Sequence, residues 1–197
     1  MRNNIITIEN FYNNPMETRE YVLQQEFGVR GNYPGQRTVS HATQQMKDII
    51  ESAVKPLAGK ITNFPMGEKN ETNGEDNYNG AYQYTTCHDK TWIHSDSGTK
   101  WAAVVYLTPN APLSGGTGLY RHKSTGLREW VDDEKTMDII WDECNDYTKW
   151  DLCDTIGNVF NRMILYRGTM FHASLDYFGQ GLEDGRLFQT FFFDTEE

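Results

Sequence analysis

Residues 92–107 read WIHSDSGTKWAAVVYL, which places a histidine and an aspartate just ahead of an apolar run. The run is rich in β-branched and aromatic residues and is typical of a buried strand. Side chains in an extended chain alternate between two faces, so His94 and Asp96 project to the same side. An imidazole nitrogen and a carboxylate oxygen that converge on one point are two ligands of a mixed metal site. The stretch therefore predicts a strand that begins beside part of a metal centre.

A second histidine on another strand would complete a set of two histidines and one carboxylate. That set suits non-haem Fe(II) and leaves coordination positions open for other ligands. The chain offers His41, His88, His122 and His172. His41 falls in a predicted helical region and His122 in a basic turn, whereas His172 falls on a late predicted strand that can lie beside an early one. The pattern alone leaves the choice among them open.

The composition is that of a globular chain of 197 residues, of which 38% are hydrophobic and 13% aromatic. This length suits one domain over residues 1–197. The mean hydropathy of −0.69 and the lack of a long apolar run exclude a membrane span, and we expect no membrane partner. The N-terminal residues contain no apolar signal-peptide core, so we expect a cytoplasmic protein. A net charge of −10 argues against a nucleic-acid partner.

The chain contains three cysteines, Cys87, Cys144 and Cys153, and no two of them have CxxC spacing. An odd number without that spacing argues against a disulfide framework or a thiolate zinc site. We expect reduced and mostly buried thiols.

Residues 1–65 read as a strand followed by helices. We predict a strand at residues 5–11 and a helix from Pro15 to about residue 27, because proline is favoured in a first helical turn. Ser40 is a candidate cap of a second helix. The apolar residues of that helix recur at helical spacing and predict one buried face; they are Met46, Ile49, Ile50, Val54 and Leu57.

From residue 78 the chain changes to short strand-like segments separated by turn-forming residues. The predicted strands are 80–87, 91–94, 101–108, 117–122, 158–167, 169–174 and 185–193. Many short strands without intervening helices favour a sandwich or a barrel. Residues 123–157 interrupt the series and are predicted to be an acidic insertion that forms a helical excursion or a flap. The polar stretch 66–79 is predicted to be a loop.

Three further features lie around the histidine and aspartate pair. Arg186 opens the apolar segment RLFQTFFF, where an arginine is either a surface terminus or a fork that binds a carboxylate through two parallel hydrogen bonds. Tyr84 and Tyr106 lie on predicted core strands and can donate their hydroxyls to the same carboxylate. The segment SGGTGLY at 114–120 gives a tight glycine turn into another strand.

In an ordered set of residues the chain resembles the Fe(II)- and 2-oxoglutarate-dependent dioxygenases, and within them the prolyl-hydroxylase branch. The set is Tyr84, His94-x-Asp96, Tyr106-Leu107, Ser114-Gly115-Gly116, His172 and Arg186. The resemblance covers roughly residues 78–194. It implies a mostly β fold of the α+β kind, in which N-terminal helices support a double-stranded β-helix, the cupin-like jelly roll, as the core.

The resemblance also implies roles for residues of the site. His94, Asp96 and His172 would bind Fe(II). Arg186 and Tyr106 would bind the distal carboxylate of 2-oxoglutarate.

Other pocket residues follow from the same resemblance. Tyr84 would line the pocket of cosubstrate and substrate, and Phe192 would form part of its wall. Many relatives carry serine or threonine two residues after the arginine, but this chain has Phe188 there. Tyr106, Thr117 or Thr190 must then supply the hydroxyl.

The implied activity is hydroxylation of a C–H bond with Fe(II), 2-oxoglutarate and O₂, and the family admits ascorbate as a reductant. The implied substrate is a prolyl residue of a peptide or protein, or an amino-acid-like small molecule. Two alternatives stay open. The same ligand set can hold Zn²⁺ or Mn²⁺ in a barrel hydrolase or isomerase, and a non-catalytic β-sandwich binding module can use the histidines and aspartate structurally. The oligomeric state is open.

Overall fold

The structure, a computed structural model, describes residues 2–69 and 74–196. Within this part the chain forms three α-helices and ten strands. The helices are α1 (Pro15–Val22), α2 (Gln44–Ala58) and α3 (Glu134–Asp142). The strands are β1 (Ile5–Ile8), β2 (Gln36–Ser40), β3 (Ile61–Asn63), β4 (Ala81–Thr85), β5 (Trp101–Tyr106), β6 (Thr117–His122), β7 (Trp150–Ile156), β8 (Met163–Arg167), β9 (His172–Ser174) and β10 (Arg186–Thr195).

The described strands form two antiparallel sheets. The major sheet has the order β1-β8-β5-β10-β4-β2, and β3 also pairs with β10. The minor sheet has the order β7-β6-β9. Strands that are distant in sequence, such as β5 and β10, are therefore direct neighbours. This arrangement confirms the predicted mostly β jelly roll with N-terminal helices.

Strand β10 separates the helical core from the interior between the sheets. Because its side chains alternate, Leu187, Phe191 and Phe193 pack in one core cluster with Ile50 and Val54 of α2. The alternate residues face a cavity between the sheets; they are Arg186, Phe188, Thr190 and Phe192. The major sheet is thus buried on both faces.

The second helix is capped differently from the prediction. The Thr43 side chain accepts a hydrogen bond from the Met46 backbone N–H at 3.2 Å, so Thr43 is the N-cap of α2. Ser40 instead ends β2, which pairs with β4 and fixes these residues in an extended conformation. The prediction of a cap at Ser40 is therefore wrong. Helix α1 ends at Val22, earlier than predicted.

The predicted insertion contains a strand of the core. Residues 134–142 form α3, which confirms a helical excursion, but residues 150–156 form β7 and pair with β6. Met137 and Ile140 of α3 pack with Trp150 and Phe171 in a separate cluster. Strand β6 alternates between this cluster and the cavity, so α3 lies on the face of the minor sheet that points away from the cavity.

Smaller differences concern segment ends and exposure. In the predicted strand 91–94 only His94 forms a bridge, and the predicted strand 158–167 begins at Met163. Part of the predicted loop 66–79, residues 70–73, lies outside the described residues. The cysteines are free, but Cys87 and Cys153 are exposed, so the prediction of mostly buried thiols is wrong. No helix of the described chain is both long and apolar enough to cross a membrane.

Candidate metal centre

The two histidines meet across a bridge between the segment before β5 and strand β9. The His94 N–H donates to the His172 carbonyl at 3.0 Å, and the His172 N–H donates back at 2.8 Å. Residues in such a reciprocal pair have side chains on the same face. The centroids of the two imidazole rings are accordingly 4.4 Å apart.

Asp96 completes the cluster from the loop that follows His94. Its N–H donates to the Gly168 carbonyl at 2.7 Å, which holds the loop against the end of β8. Its Oδ2 lies 3.2 Å from Nε2 of His172. One ligand atom from each of His94, Asp96 and His172 lies within 4.8 Å of the others, so one ion can contact all three.

The other histidines lie elsewhere. His88 is exposed and contacts Gln180, and His41 lines a different cavity beside Tyr82. His122 is buried and is hydrogen-bonded to Glu143 at 2.7 Å. The structure thus selects His172 from the candidates that the sequence pattern left open.

Backbone contacts fix the ring nitrogens that face the centre. Nδ1 of His94 lies 2.9 Å from the Trp92 carbonyl, and Nδ1 of His172 lies 2.9 Å from the Met170 carbonyl. A carbonyl oxygen can only accept, so Nδ1 carries the proton in both rings. Nε2 of each neutral ring then keeps its lone pair for a metal, and the carbonyl fixes the ring orientation as outer partners of metal ligands do.

The electrostatic surroundings favour the metal-binding forms of His94 and Asp96. Burial, followed by the nearby His172, lowers the pKa of His94 to about 4. Burial works against the charged form of Asp96, but the two histidines outweigh it and lower the pKa of that carboxyl. Neutral imidazoles and an ionised carboxylate are the states that bind metal.

A cavity of about 470 Å³ extends from this cluster between the two sheets. Arg186 lies in its wall and is only 1% exposed. The Arg186 Nε donates to the Gly115 carbonyl at 2.8 Å, and Nη2 donates to the Gly116 carbonyl at 3.4 Å. A side chain at Gly116 would place its Cβ 1.9 Å from the Ile156 carbonyl oxygen, so the close approach of these segments requires glycine there.

The hydroxyls near Arg186 form a second part of the cavity wall. The Tyr106 hydroxyl lies 2.8 Å from Oγ1 of Thr117, and Thr117 lines the cavity. Burial raises the pKa of Tyr106, although the positive charge of Arg186 opposes this, so the phenol is a neutral hydrogen-bonding group. A guanidinium and two hydroxyls thus meet in one region of the cavity.

Arg186 also provides a test of whether a 2-oxo acid fits. Among the described residues no carboxylate forms an ion pair with Arg186. A buried cation without an anion is costly, so the site favours an anionic ligand. The distal carboxylate of 2-oxoglutarate would supply that charge, while the nitrogen and oxygen donors of the triad suit Fe(II). The residues of the site therefore fit both Fe(II) and 2-oxoglutarate.

The remaining predicted residues divide into two groups. Thr117, Thr190 and Phe192 line the cavity as expected. Tyr84 does not line it: its ring packs edge-on against Phe27, with centroids 5.1 Å apart, on the helical face of the major sheet. The predicted pocket role of Tyr84 is corrected, because alternation along β4 turns the neighbouring Gln83 to the cavity instead.

Several cavity residues were missed by sequence reasoning. Arg37 on β2 is 6% exposed, and its guanidinium carbon lies 3.7 Å from the ring centroid of Tyr33 and 4.8 Å from that of Tyr78. Tyr166 on β8 lies with its ring centroid 4.5 Å from that of His172. The β-branched residues Thr38 and Val39 were a weak signal for β2, and the structure shows that this strand pairs Arg37 with Gln83.

Solved structures share this fold. HygX from Streptomyces hygroscopicus, determined with nickel and 2-oxoglutarate bound, superposes with a TM-score of 0.62 at 11% identity, covering 98% of this chain and 83% of that one. SnoN, a non-haem α-ketoglutarate-dependent epimerase from nogalamycin biosynthesis, gives a TM-score of 0.55 at 14% identity, covering 96% and 77%. A Pseudomonas putida prolyl-4-hydroxylase gives a TM-score of 0.48 at 11% identity, covering 98% and 93%.

The superpositions with HygX and SnoN confirm the predicted resemblance to the 2-oxoglutarate- and iron-dependent oxygenases as a likeness of fold. No curated protein matches the chain. One family model, described as a family of unknown function (DUF6445), matches residues 1–193.

Proposed function

The chain belongs to the DUF6445 family, and we propose that it is an Fe(II)- and 2-oxoglutarate-dependent dioxygenase that hydroxylates a C–H bond. One observation carries this proposal: a triad of two histidines and one aspartate shares a cavity with a buried arginine that has no carboxylate partner among the described residues. The fold likeness to HygX and SnoN agrees with it. A single catalytic domain over residues 1–197 is part of the proposal.

Each group of residues has a separate task in this proposal. His94, Asp96 and His172 would hold Fe(II), which with 2-oxoglutarate and O₂ supplies the oxidising chemistry. Arg186 binds the distal carboxylate of the cosubstrate through charge-assisted hydrogen bonds. Thr117, supported by the hydroxyl of Tyr106, offers a further hydrogen bond to that carboxylate.

The apolar part of the wall keeps water from the reacting atoms. Phe188 and Phe192 of β10 and Tyr166 of β8 line the cavity beside the triad. Removing water strengthens the electrostatic interactions inside the cavity and protects reactive species from side reactions. These side chains orient and shield, and the bound groups supply the chemistry.

The two alternatives explain less of the cavity. A hydrolase or isomerase with Zn²⁺ or Mn²⁺ can use the triad, but it has no need for a buried arginine that is ready to bind the distal carboxylate of a 2-oxo acid. A binding module needs neither the convergence of three metal-ligand atoms nor the rings held with Nε2 towards one another. The dioxygenase uses both features.

Substrate identity is not set by the fold. HygX has been crystallised with hygromycin B, and SnoN acts in nogalamycin biosynthesis, so one architecture serves different substrates. A prolyl residue or an amino-acid-like molecule stays the predicted substrate. The cytoplasmic location, the use of O₂ and a role for ascorbate also stay predictions.

The first test is an anaerobic titration of the metal-free protein with Fe(II) and then with 2-oxoglutarate. We expect the weak visible charge-transfer band of the iron chelate to appear in the parent and in Tyr84→Phe, because Tyr84 lies outside the cavity. In Arg186→Met the band should be absent at the same cosubstrate concentration. Folded, iron-loaded parent protein that gives no band would contradict the proposal and favour a hydrolase or a binding module.

A further inference from the structure

A second buried arginine faces the cavity from the major sheet. Arg37 of β2 pairs in register with Gln83 of β4, which pairs with Phe188 of β10, so the three residues form one row across the sheet. All three line the cavity that contains the triad. Arg37 is 6% exposed and is therefore almost as buried as Arg186.

Neighbouring side chains hold the guanidinium of Arg37 in one orientation. Nε donates to Oε1 of Gln83 at 2.9 Å, and Nη2 donates to the same oxygen. Gln83 is itself fixed, because its Nε2 donates to the Pro34 carbonyl at 2.6 Å. The rings of Tyr33 and Tyr78 lie over the guanidinium and favour a cation there.

The charge of Arg37 has no anionic partner within the described part of the chain. Among the described residues, no carboxylate forms an ion pair with Arg37, and its Nη1 has no hydrogen-bond partner. Burial lowers the pKa of Arg37 to about 10, so the side chain is still a cation at neutral pH. The carboxylate of Asp96 acts on Arg37 electrostatically but forms no ion pair with it, so this fixed, buried cation can bind a further anionic group.

Arg37 also lies within electrostatic range of the metal centre. Arg37, His94 and Asp96 line the same cavity, and the carboxylate of Asp96 favours the charged form of Arg37. A ligand group bound by Arg37 would therefore be near the reacting atoms and would not merely touch an outer rim of the cavity.

A charge balance indicates which kind of further ligand the cavity favours once Fe(II) and 2-oxoglutarate are bound. The charged side chains among the described cavity residues are Arg37, Asp96 and Arg186, the histidines being neutral ligands. The positive charges of Fe(II) and Arg186 are balanced by the negative charges of Asp96 and dianionic 2-oxoglutarate. Arg37 then leaves the loaded cavity with a positive charge that nothing in this balance neutralises.

We propose that Arg37 binds a carboxylate of the substrate and that the substrate is a small carboxylic acid. This inference rests on the proposed function. A small acid is favoured because the cavity of about 470 Å³ must also hold the cosubstrate. Tyr33 and Tyr78 would pack against the rest of the molecule, and the carboxylate would fix which C–H bond lies beside the metal. A free acid and the C-terminus of a peptide present the same group.

The test measures binding to the anaerobic complex with Fe(II) and 2-oxoglutarate. The probes are the proteinogenic L-amino acids, each compared with its C-terminal amide, and short peptides with a free or an amidated C-terminus. Binding is followed as a shift of the visible chelate band. The variants are Arg37→Met, which keeps length without charge, and Arg121→Met, a matched control whose arginine pairs with Asp151 on the exposed surface.

In the parent and in Arg121→Met we expect at least one acid to bind roughly 30-fold or more tightly than its amide. In Arg37→Met this preference should fall to within about threefold, while 2-oxoglutarate still forms the chelate. Tighter binding of free amino acids than of peptide acids would identify the source of the carboxylate as a small molecule.

The inference is overturned if amides bind as well as acids, if the acid preference survives in Arg37→Met, or if no probe gives a response at millimolar concentration. If Arg37→Met loses 2-oxoglutarate itself, Arg37 serves the cosubstrate and the inference is also wrong. An absent chelate band in the parent would instead overturn the proposed function, so the two failures are distinguishable.

Discussion

Arg186 and Arg37 are two buried arginines that face one cavity, but they are held by different kinds of partner. Arg186 donates to the backbone carbonyls of Gly115 and Gly116. Arg37 donates to the side chain of Gln83 and lies against aromatic rings. Both arginines are fixed, and both lack a carboxylate partner among the described residues. They differ in how far a substitution of a neighbouring residue would change the position of each guanidinium.

This difference suggests a division of labour between constant and variable ligands. Backbone carbonyls hold Arg186 in the same position whatever side chains surround it, provided that the glycine turn is kept. The setting of Arg37 depends on Gln83, Tyr33 and Tyr78, each of which a single substitution can replace. A cosubstrate shared by many enzymes suits the first setting, and a substrate that differs between enzymes suits the second.

The largest expected effect comes from removing the centre that both arginines serve. His172→Ala should weaken Fe(II) binding by more than about 100-fold, because even the loss of an outer partner of a metal ligand costs roughly 10- to 100-fold. Metal content after gel filtration, with circular dichroism to verify the fold, checks this. His88→Ala is the matched control, since His88 is exposed and its ring contacts Gln180 and not the triad. If folded His172→Ala still binds iron fully, the assignment of His172 as a metal ligand is wrong.

The variant Arg186→Met should distinguish the ligand of Arg186 from that of Arg37. Truncating one partner of a buried, hydrogen-bonded charge pair costs about 2–5 kcal/mol, so the affinity for 2-oxoglutarate should fall by roughly 30-fold or more. Titration of the visible chelate band measures it. Arg37→Met is the comparison and should keep most of the cosubstrate affinity. Equal losses in the two variants would show that both arginines bind the same ligand.

The parts of this site that could be predicted from sequence are those with a local pattern. His94 and Asp96 follow from alternation in an extended segment, whereas the pattern left Arg186 open between a surface terminus and a carboxylate fork, and the family resemblance decided its role. His172 required the family resemblance, because the pairing of β9 with the segment before β5 joins distant parts of the chain. Helix α2 was predictable because its apolar residues follow the helical period.

Strands β2 and β7 were missed for a common physical reason. Each lies at the end of the strand order of its sheet, where only one other named strand of the described chain pairs with it. Their burial patterns are mixed, and β7 carries several exposed residues, so neither presents a strong apolar signal. Pairing with β4 and β6 makes them strands. Missing β2 also meant missing Arg37.

The error at Tyr84 has another cause. Strand β4 is buried on both faces, so its sequence shows no contrast between an inner and an outer side. Which face meets the helices and which meets the cavity is decided by the layers above and below the sheet. Tyr84 and Gln83 could therefore not be told apart by pattern.

A smaller effect is expected from the hydroxyl beside Arg186. Thr117→Val keeps the shape of the side chain and removes the hydrogen bond with Tyr106 and any bond to the cosubstrate. A hydrogen bond contributes about 1 kcal/mol, so 2-oxoglutarate should bind roughly fivefold more weakly. The chelate titration measures it, with Thr190→Val as a second cavity threonine for comparison. An unchanged affinity in Thr117→Val would leave Arg186 as the main determinant on that side.

The smallest expected effect concerns the rings that hold Arg37. Tyr33→Leu removes an aromatic face that lies 3.7 Å from the guanidinium carbon and keeps an apolar side chain in its place. Tyr33 is only half-buried, and an exposed cation–π contact contributes about 0.5–1 kcal/mol, so a carboxylate probe that depends on Arg37 should bind roughly 2- to 5-fold more weakly. The affinity for 2-oxoglutarate should not change, because the contacts of Arg186 with Gly115 and Gly116 are untouched. The same band shift measures both ligands in one sample. A loss of 2-oxoglutarate with no loss of the probe would reverse the roles assigned to the two arginines.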